Sequence, residues 1–370
     1  MPQQESRSQQ LRVLFVGLRH DYGISELGPS FEYTNFLDTL LNMDNIEATL
    51  FPFDVVMREK GREEMNRQLQ ETVGIVKPDI CFFFLFTDEI TRKTIQSISR
   101  RRDTVTLNWF ADDHWRFDEF SRFWAPLFHW VVTTDRAALE KYRRIDCRNV
   151  ILSQWGANHF LYKHVDVPQE YDVTFVGQVH SSRESFVRVL QRSGIHVECW
   201  GRGWPNGRLS QDEMIAIYSK SKINLNFTDS SVAFNKKRML KVFLNRRADD
   251  TIRLRSPREI VLHLETLFGK RRTQIKGRNF EIPAAGGFLL TQHADGIEEF
   301  FVPGKEIVTF VSKNDLCDKI RYYLTHDSER EFIRQAGHER VMREHTLQRR
   351  FETIFQSVLN SIPRSVPAPR

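Results

Sequence analysis

One pattern recurs along the chain: a short apolar run, a polar or glycine-containing turn, and then a segment with helical periodicity. The run 80–86 is apolar throughout, as expected of a central strand that is buried on both faces of a parallel sheet. Alternation of such strands with helices predicts an α/β protein built on doubly wound parallel sheets. The predicted strands are 11–17, 48–53, 80–86, 104–110, 130–134 and 149–153, followed by 172–177, 196–200, 223–227, 287–291 and 307–311.

The length of 370 residues exceeds one typical hydrophobic core, so we expect two domains. Ser30 and Thr346 are candidate caps for the helices that follow them, and 328–331 has the spacing of a capping box. The predicted organisation is a flexible N-terminus at 1–10, a first Rossmann-like domain at 11–158, a second at 170–345, a terminal helix at 346–360 and a disordered tail at 361–370.

Cysteine content and hydropathy indicate the cellular compartment of the protein. The four cysteines are scattered without a Cys-x-x-Cys pair, which favours buried thiols in a reducing cytosol over disulfides or zinc ligands. No apolar run approaches the length of a membrane span. These features predict a cytoplasmic protein, with peripheral contact at the inner face of the membrane as an option.

The net charge of +6 is concentrated in one segment. Between Asn235 and Arg278 there are fourteen Lys or Arg against four Asp or Glu, so the rest of the chain is mildly acidic. We interpret 235–276 as a basic insertion in the second domain. A solvated helical surface explains most of these charges, and contact with an anionic membrane or acceptor is the functional alternative. Aromatic residues are sparse there, which argues against stacking on nucleic acid.

The segment 278–291 carries the clearest chemical signal. Glu281 lies in a short apolar helix-like stretch, Gly286 and Gly287 then end the helix, and a buried strand follows. The cations Lys276 and Arg278 precede the acid. Cations beside a helix N-terminus favour a diphosphate, and a carboxylate can accept hydrogen bonds from two neighbouring ribose hydroxyls. The pattern therefore indicates a nucleotide site, against the alternative that Arg278 and Glu281 form a structural ion pair.

The same segment, its continuation to Ile307 and the stretch 337–346 resemble the C-terminal half of the spore-maturation-protein-like (CgeB-like) glycosyltransferases, within the GT-B group, over about 170–358. The resemblance implies two Rossmann-like domains that face each other across a cleft and a C-terminal helix that crosses back to the first domain. Related transferases carry two glutamates eight residues apart. Glu281 corresponds to the second, ribose-binding one, whereas the first falls at Thr273, which is not acidic.

Further donor candidates follow from the rule that ligands of open α/β sheets bind outside the carboxyl ends of the strands. The structural alternatives are a tight turn for Gly177, a core or interdomain aromatic for Trp204 and a basic surface residue for Lys276. The candidates for the nucleotide or diphosphate are Gly177, Arg183, Lys276, Arg278, Glu281, Gly286 and Gly287. The candidates for the sugar or base are Trp204, Asn226, Thr228, Asp295 and Glu298.

In the first domain, Asp112, Asp113 and His114 follow a predicted strand and are the catalytic candidates. One of them is expected to take the proton of an acceptor hydroxyl, while one acid alternatively caps the next helix. The acceptor candidates are His20, Asp21 and Glu32. The chain contains no Asp-x-Asp pair, so we expect no metal and no other cofactor, with positive side chains in place of a divalent ion.

The leading hypothesis is a metal-independent glycosyltransferase of the hexosyltransferase type. It would move a sugar from a nucleoside-diphosphate sugar to a hydroxyl of a glycan, a lipid-linked or a protein acceptor, as in cell-envelope or spore polysaccharide synthesis. Two alternatives stay open: a sugar-nucleotide epimerase on the same fold, which needs no acceptor, and a non-catalytic nucleotide-sugar-binding or assembly protein. The sequence leaves the sugar, the base and the stereochemical outcome undetermined.

Overall fold

The computed structural model describes residues 10–228, 244–246, 252–254, 256, 260 and 273–360. The predicted flexible N-terminus, except residue 10, and the predicted disordered tail lie outside these residues. So does most of the basic insertion. Within it, two short strands, Leu244–Arg246 and Ile252–Leu254, form an antiparallel pair.

The described chain divides into two compact units. The first contains 10–154, 350–360 and the described residues between 236 and 266, which belong to the basic insertion, and the second contains 155–228 and 273–349. Each unit holds one parallel sheet with helices on its faces, so the prediction of doubly wound α/β architecture is confirmed.

The sheet of the first unit has the strand order β2-β1-β3-β4-β5-β6, with every pair parallel. Its strands are β1 Leu11–Gly17, β2 Ile46–Pro52, β3 Ile80–Phe83, β4 Val105–Phe110, β5 Trp130–Thr133 and β6 Val150–Leu152. Strand β3 is three residues shorter than predicted. Beyond it, the Leu85 N–H bonds to the Asn108 side chain at 3.2 Å instead of continuing the ladder.

Helices connect these strands. Ser30 caps the segment after β1, because its Oγ accepts the Tyr33 N–H at 2.9 Å, as predicted. The helices are α1 Asp38–Leu41, α2 Phe53–Lys60, α3 Arg62–Val76, α4 Arg92–Ser99, α5 Asp113–Arg116, α6 Arg122–Trp124 and α7 Ala138–Arg144, with π-helical turns at Glu32–Leu37 and Phe117–Ser121 and 3-10 turns at Asp21–Gly23, Ser25–Leu27 and Ala125–Leu127.

The sheet of the second unit has the order β13-β12-β9-β7-β8, again parallel, where β10 and β11 are the two short strands of the insertion. Its strands are β7 Tyr171–Val176, β8 Glu198–Trp200, β9 Ser221–Asn226, β12 Leu289–Gln292 and β13 Val308–Phe310. Its helices are α8 Ser181–Arg192, α9 Gln211–Lys220, α10 Arg278–Ala284, α11 Lys313–Thr325 and α12 Asp327–Glu344, with a 3-10 turn at Ile297–Glu299. The predicted capping box at 328–331 is wrong: the N-cap of α12 is His326, two residues before Ser328, and its side chain makes no cap hydrogen bond.

The last helix, α13 Leu347–Asn360, starts in the second unit and continues in the first. Thr346 caps it as predicted, since its Oγ1 accepts the Arg349 N–H at 3.3 Å. The fully buried Phe351 lies with its ring centroid 5.3 Å from Phe36 and 5.8 Å from Phe82. Helix α13 therefore completes one face of the first unit's core.

Phe351→Ala should destabilise the first unit by about 3–5 kcal/mol, because it removes a fully buried aromatic ring and leaves a cavity between Phe36 and Phe82. Urea unfolding followed by circular dichroism measures the change. Phe332→Ala on α12 is the matched control, since Phe332 is 67% exposed and its loss should cost no more than about 0.5 kcal/mol. Equal effects of the two substitutions would contradict the assigned packing of α13.

Candidate active site

Strand order locates the ligand-binding edge of each sheet. In the first unit the direction of winding reverses between β1 and β3, and in the second it reverses between β7 and β9. Loops at the carboxyl ends of strands beside such a reversal form the usual ligand crevice of an open parallel sheet. The predicted candidates after β1 and β7 lie at these two positions.

In the second unit, Arg278 and Glu281 form an ion pair across one turn of α10. The carboxylate is fully buried, whereas the Arg278 side chain is 29% exposed. Arg278 engages Glu281 Oε2, and Glu281 Oε1 has no hydrogen-bond partner among the described residues. A buried carboxylate oxygen without a hydrogen-bond donor costs free energy. Glu281 Oε1 is therefore an acceptor that is available to a donor group of a bound ligand.

Two tyrosines and a glutamine share the environment of this ion pair. Burial and the Glu281 charge raise the pKa of Tyr162 well above its ordinary value, and burial raises the pKa of Tyr218. Tyr218 Oη and Gln211 Nε2 also lack a hydrogen-bond partner in the part of the chain that the structure describes. Arg278 lies 5.9 Å from the centroid of the Tyr218 ring. The cluster thus presents unfilled donors as well as an unfilled acceptor.

The predicted donor residues Gly286 and Gly287 have a structural explanation. The Gly287 N–H bonds to Ile282 O and the Gly286 N–H to Pro283 O, both at 2.9 Å, which is the Schellman arrangement that ends α10. Gly286 has φ +71°, and a Cβ on Gly287 would lie 2.8 Å from Asn224 Nδ2. The helix end and close packing therefore account for both glycines, and a phosphate contact stays a prediction.

Gly177, Trp204 and Arg183 belong to the loops after β7 and β8. The indole N–H of Trp204 donates to Gly177 O at 2.9 Å, so Trp204 joins the two loops. Arg183 donates to Gln178 O at 2.8 Å and packs over the Phe175 ring. These contacts favour the structural alternative for Trp204 over the predicted stacking on a base.

Asn226 and Thr228 are also occupied by internal hydrogen bonds. Asn226 Nδ2 donates to Asn279 Oδ1 at 3.2 Å and to Thr291 Oγ1 at 3.1 Å. Thr228 is fully buried and donates through Oγ1 to His293 O at 3.3 Å. Both side chains therefore link the end of β9 to neighbouring elements. Few of their hydrogen-bonding groups remain for the sugar or base contacts predicted above.

Asn279 also fixes the start of α10, since its Oδ1 accepts the Lys276 N–H at 2.8 Å. This bond holds the backbone at Lys276 close to the helix that carries Arg278 and Glu281. The predicted cations and the acid are therefore brought together on one short segment.

The loop after β12 carries Asp295 and Glu298, both exposed. Glu298 pairs with His293, with Nε2 and Oε1 2.9 Å apart. A backbone hydrogen bond at Glu298, together with His293, lowers the pKa of the Glu298 carboxyl. His293 was not among the predicted site residues, although it directly follows a strand at the ligand-binding edge.

Asp112, Asp113 and His114 follow β4 as predicted, but they differ in access. Asp113 is fully buried and accepts the Tyr142 O–H at 2.7 Å, and His114 is also buried. Burial raises the pKa of Asp113 to about 6. Asp112 is partly exposed and takes the N-cap position of α5 without a side-chain hydrogen bond to that helix, so its geometry does not favour the capping alternative. The tyrosine contact makes Asp113 a core acid, which removes the physical basis for its predicted role as the base.

The acceptor candidates His20, Asp21 and Glu32 lie together around the loop after β1. His20 Nδ1 lies 3.1 Å from Asp54 Oδ2, on the helix that follows β2. Desolvation, with smaller contributions from Asp21 and Asp54, raises the pKa of Glu32 to about 7. Asp54 was missed, yet its position just after a predicted strand was the signal that could have found it. Tyr162, Tyr218 and Gln211 gave no such signal, because only the fold brings them to Glu281.

The described residues contain neither a membrane-spanning helix nor a cluster of metal ligands. No helix there is long and apolar enough to cross a membrane. No group of three or more His, Cys, Asp or Glu side chains within 10–228 and 273–360 is placed to hold a metal ion.

A comparison with known protein families supports the prediction of a glycosyltransferase-like region in the C-terminal half of the chain. Residues 183–248 and 245–356 match the model of a family described as glycosyl transferase-like. The match includes Arg183, Arg278, Glu281 and the two glycines that end α10. The match covers just under half of the chain, and most of it lies in the second unit, so this part of the chain resembles a glycosyl transferase-like domain. No curated protein matches the chain in sequence.

Solved structures establish the fold as GT-B. Sucrose-phosphate synthase from Thermosynechococcus elongatus is 9% identical, with a TM-score of 0.60 over 95% of this chain and 100% of that one. HepE of Anabaena, solved with UDP-glucose, is 10% identical, with a TM-score of 0.58 over 95% and 100%. A glycosyltransferase from Rickettsia africae is 11% identical, with a TM-score of 0.59 over 96% and 100%. At these identities the likeness concerns the fold alone.

Asp113→Asn should flatten the dependence of stability on pH. Because the pKa of Asp113 is about 6 in the folded protein against an ordinary value of 3.8, folding favours the protonated carboxyl. Its stabilising contribution is present below pH 3.8 and is lost as the pH rises through 6. The full difference between the two limits corresponds to about 3 kcal/mol, of which about 1.4 kcal/mol falls between pH 5 and pH 8, measured as unfolding free energy at those two pH values.

Asp212→Asn, at an exposed position on α9, is the control and should retain the wild-type pH dependence. If Asp113→Asn retained it as well, the ionisation of Asp113 would not be coupled to folding.

Proposed function

We propose that the protein transfers a sugar from a nucleoside-diphosphate sugar to a hydroxyl group of an acceptor, and that the nucleotide binds at the Arg278–Glu281 pair. The observation that carries the proposal is the fully buried Glu281 carboxylate with one oxygen unfilled, inside the range that matches the glycosyl transferase-like family. The solved complex of HepE with UDP-glucose supports a uridine nucleotide as the first donor to test.

The chemistry of the cluster suits a ribose and a diphosphate. Ribose hydroxyls donate to Glu281 Oε1, and charge-assisted bonds of this kind are among the stronger hydrogen bonds in proteins. Arg278 is partly exposed and Lys276 begins the same segment, so both supply positive charge for the diphosphate. When the glycosyl bond breaks, negative charge grows on the leaving diphosphate, and preorganised cations stabilise that charge. Catalysis without a metal and without another cofactor belongs to the same proposal.

The acceptor is assigned to the first unit, near His20, Asp21, Glu32 and the partly exposed Asp112. Its chemical class is a hydroxyl of a glycan, a lipid-linked or a protein substrate. The basic segment 235–276 is the candidate for peripheral contact with an anionic membrane surface from the cytoplasmic side. Nucleic acid is not among the proposed partners.

Glu281→Gln tests the donor site, because it keeps the shape of the side chain and removes its charge. Loss of a charge-assisted bond to the ribose costs about 1.5–3 kcal/mol, which is roughly a 10- to 100-fold weaker Kd. Titration calorimetry with UDP measures it, with ADP and GDP titrated in parallel to identify the base.

Asp318→Asn on α11 is the matched control, because it removes an exposed acid that pairs with Arg321 three residues away. It should leave the Kd for UDP unchanged. Circular dichroism checks that Glu281→Gln stays folded, since Arg278 loses its partner. A folded Glu281→Gln protein that binds the preferred nucleoside diphosphate as tightly as wild type would leave the pair with a structural role only.

A further inference from the structure

His20 and Asp54 form a well-defined hydrogen-bonded pair in the first unit, outside the proposed donor site. Asp54 is buried on the first turn of α2, and its carboxylate accepts three N–H groups. These are Arg19 N at 2.8 Å, His20 N at 3.0 Å and His20 Nδ1 at 3.1 Å. One acid therefore fixes both the backbone and the ring of His20.

This arrangement also selects a tautomer. A carboxylate only accepts, so the proton of the neutral His20 ring is held on Nδ1, and the lone pair is left on Nε2. His20 Nε2 has no hydrogen bond among the described residues, and the His20 side chain is 20% exposed. The ring thus presents a basic nitrogen to the outside of the loop while its other nitrogen is anchored inside.

The location is that of a ligand site. His20 follows β1, which adjoins the reversal of strand order at β1/β3, and Asp54 follows β2. The same loop carries Tyr22, an exposed residue with φ +53°, a left-handed backbone that a tyrosine rarely adopts. Its ring is held by an edge contact to Phe86 at 5.8 Å. Strain of this kind is concentrated at functional sites.

The charged groups around the pair are predominantly acidic. Asp54 lies on α2, Asp21 and Glu26 in the loop, and Glu32 on the following helical turn. The cations nearby are Arg19, which packs over Tyr33, and Arg58, which bonds to Ser25. Positive charge that develops on the ring during proton transfer is attracted by the neighbouring Asp54 carboxylate.

We propose that His20 is the base that removes the proton of the acceptor hydroxyl, and that Asp54 is its positioning residue. The inference rests on the proposed glycosyl transfer. In the step, the acceptor oxygen attacks the anomeric carbon and its proton passes to His20 Nε2. The bond from the anomeric carbon to the diphosphate oxygen breaks, and its electron pair leaves with the nucleoside diphosphate.

Two features favour His20 over the acids after β4. Asp113 is fully buried and already accepts the Tyr142 O–H, so it has no access to an acceptor. Asp112 is partly exposed and interacts electrostatically with Arg116, but no hydrogen bond among the described residues holds its side chain in place as Asp54 holds His20. The role of base therefore moves from the predicted Asp112–His114 segment to the loop after β1.

The first measurement needs no substrate. The ¹⁵N chemical shifts of the His20 ring, assigned with His20→Gln, report the tautomer of the full chain at pH 8. The wild type should carry its proton on Nδ1. Asp54→Asn should shift it toward Nε2, because the amide offers a donor in place of an acceptor. A wild-type ring protonated on Nε2 would overturn the proposal.

The second measurement uses turnover, followed as UDP release from a panel of UDP-hexoses, including UDP-glucose, with water as acceptor. His20→Gln should lower kcat by about 10²- to 10⁴-fold, the usual contribution of a positioned base, with the Kd for UDP unchanged. The control is His196→Gln, which removes an exposed histidine paired with Glu198 in the second unit and should retain wild-type kcat. Retention of wild-type kcat by His20→Gln would also overturn the proposal.

The pH profile separates His20 from its neighbour Glu32. The acid limb of the wild-type profile of kcat against pH should persist in Glu32→Gln and disappear in His20→Gln. Because Asp54 also holds two backbone N–H groups, Asp54→Asn can loosen the loop, and His20→Gln remains the deciding variant. A wild type that binds none of UDP, ADP and GDP and releases no UDP would refute the donor assignment itself, a result distinct from an active His20→Gln protein.

Discussion

Two parallel sheets, each covered on both faces, impose the main constraint on this protein. A strand in such a sheet has room for few polar side chains, and Asn224 and Asn226 of β9 are held there by hydrogen bonds. Groups available for chemistry therefore collect where the strands end. Asp54, Asp112 and Glu298 all lie in the segments that follow strands, and the reversals in strand order decide which of these ends adjoin a ligand crevice.

Three buried acids show how hydrogen bonding distinguishes support from function. Asp113 is fully enclosed and accepts the Tyr142 hydroxyl, which makes it part of the first unit's core. Asp54 is also enclosed, but its three N–H partners orient a histidine that reaches the surface. Glu281 and Asp113 each leave one buried oxygen without a hydrogen-bond partner among the described residues, but only Glu281 is paired with a partly exposed arginine, inside the range that matches the glycosyl transferase-like family. Neither burial nor an unfilled oxygen identifies a functional acid by itself. The exposed group that the acid pairs with or orients is the distinguishing feature.

The glycines and the tryptophan show a limit of motif-based inference. Gly286 ends a helix by a Schellman arrangement, and Trp204 joins two loops through its indole N–H. In the sequence both residues resemble ligand contacts. A glycine that a turn needs and a glycine that gives access to a phosphate cannot be told apart there, and the same holds for a tryptophan that supports a loop and one that stacks on a base. The difference lies in which atoms approach the missing Cβ, and those atoms come from distant parts of the chain.

The sequence by itself determined the alternation of strands and helices, the α/β class, the helix caps at Ser30 and Thr346 and the segment around Glu281. These features depend on periodicity and on residues within a few positions of one another. Only the tertiary structure decided that Asp54 meets His20, that Tyr142 occupies Asp113 and that Tyr218 stands beside Arg278. Hydrogen bonds and burial are set by neighbours in space, and these neighbours are separated in sequence by 29 to 60 residues.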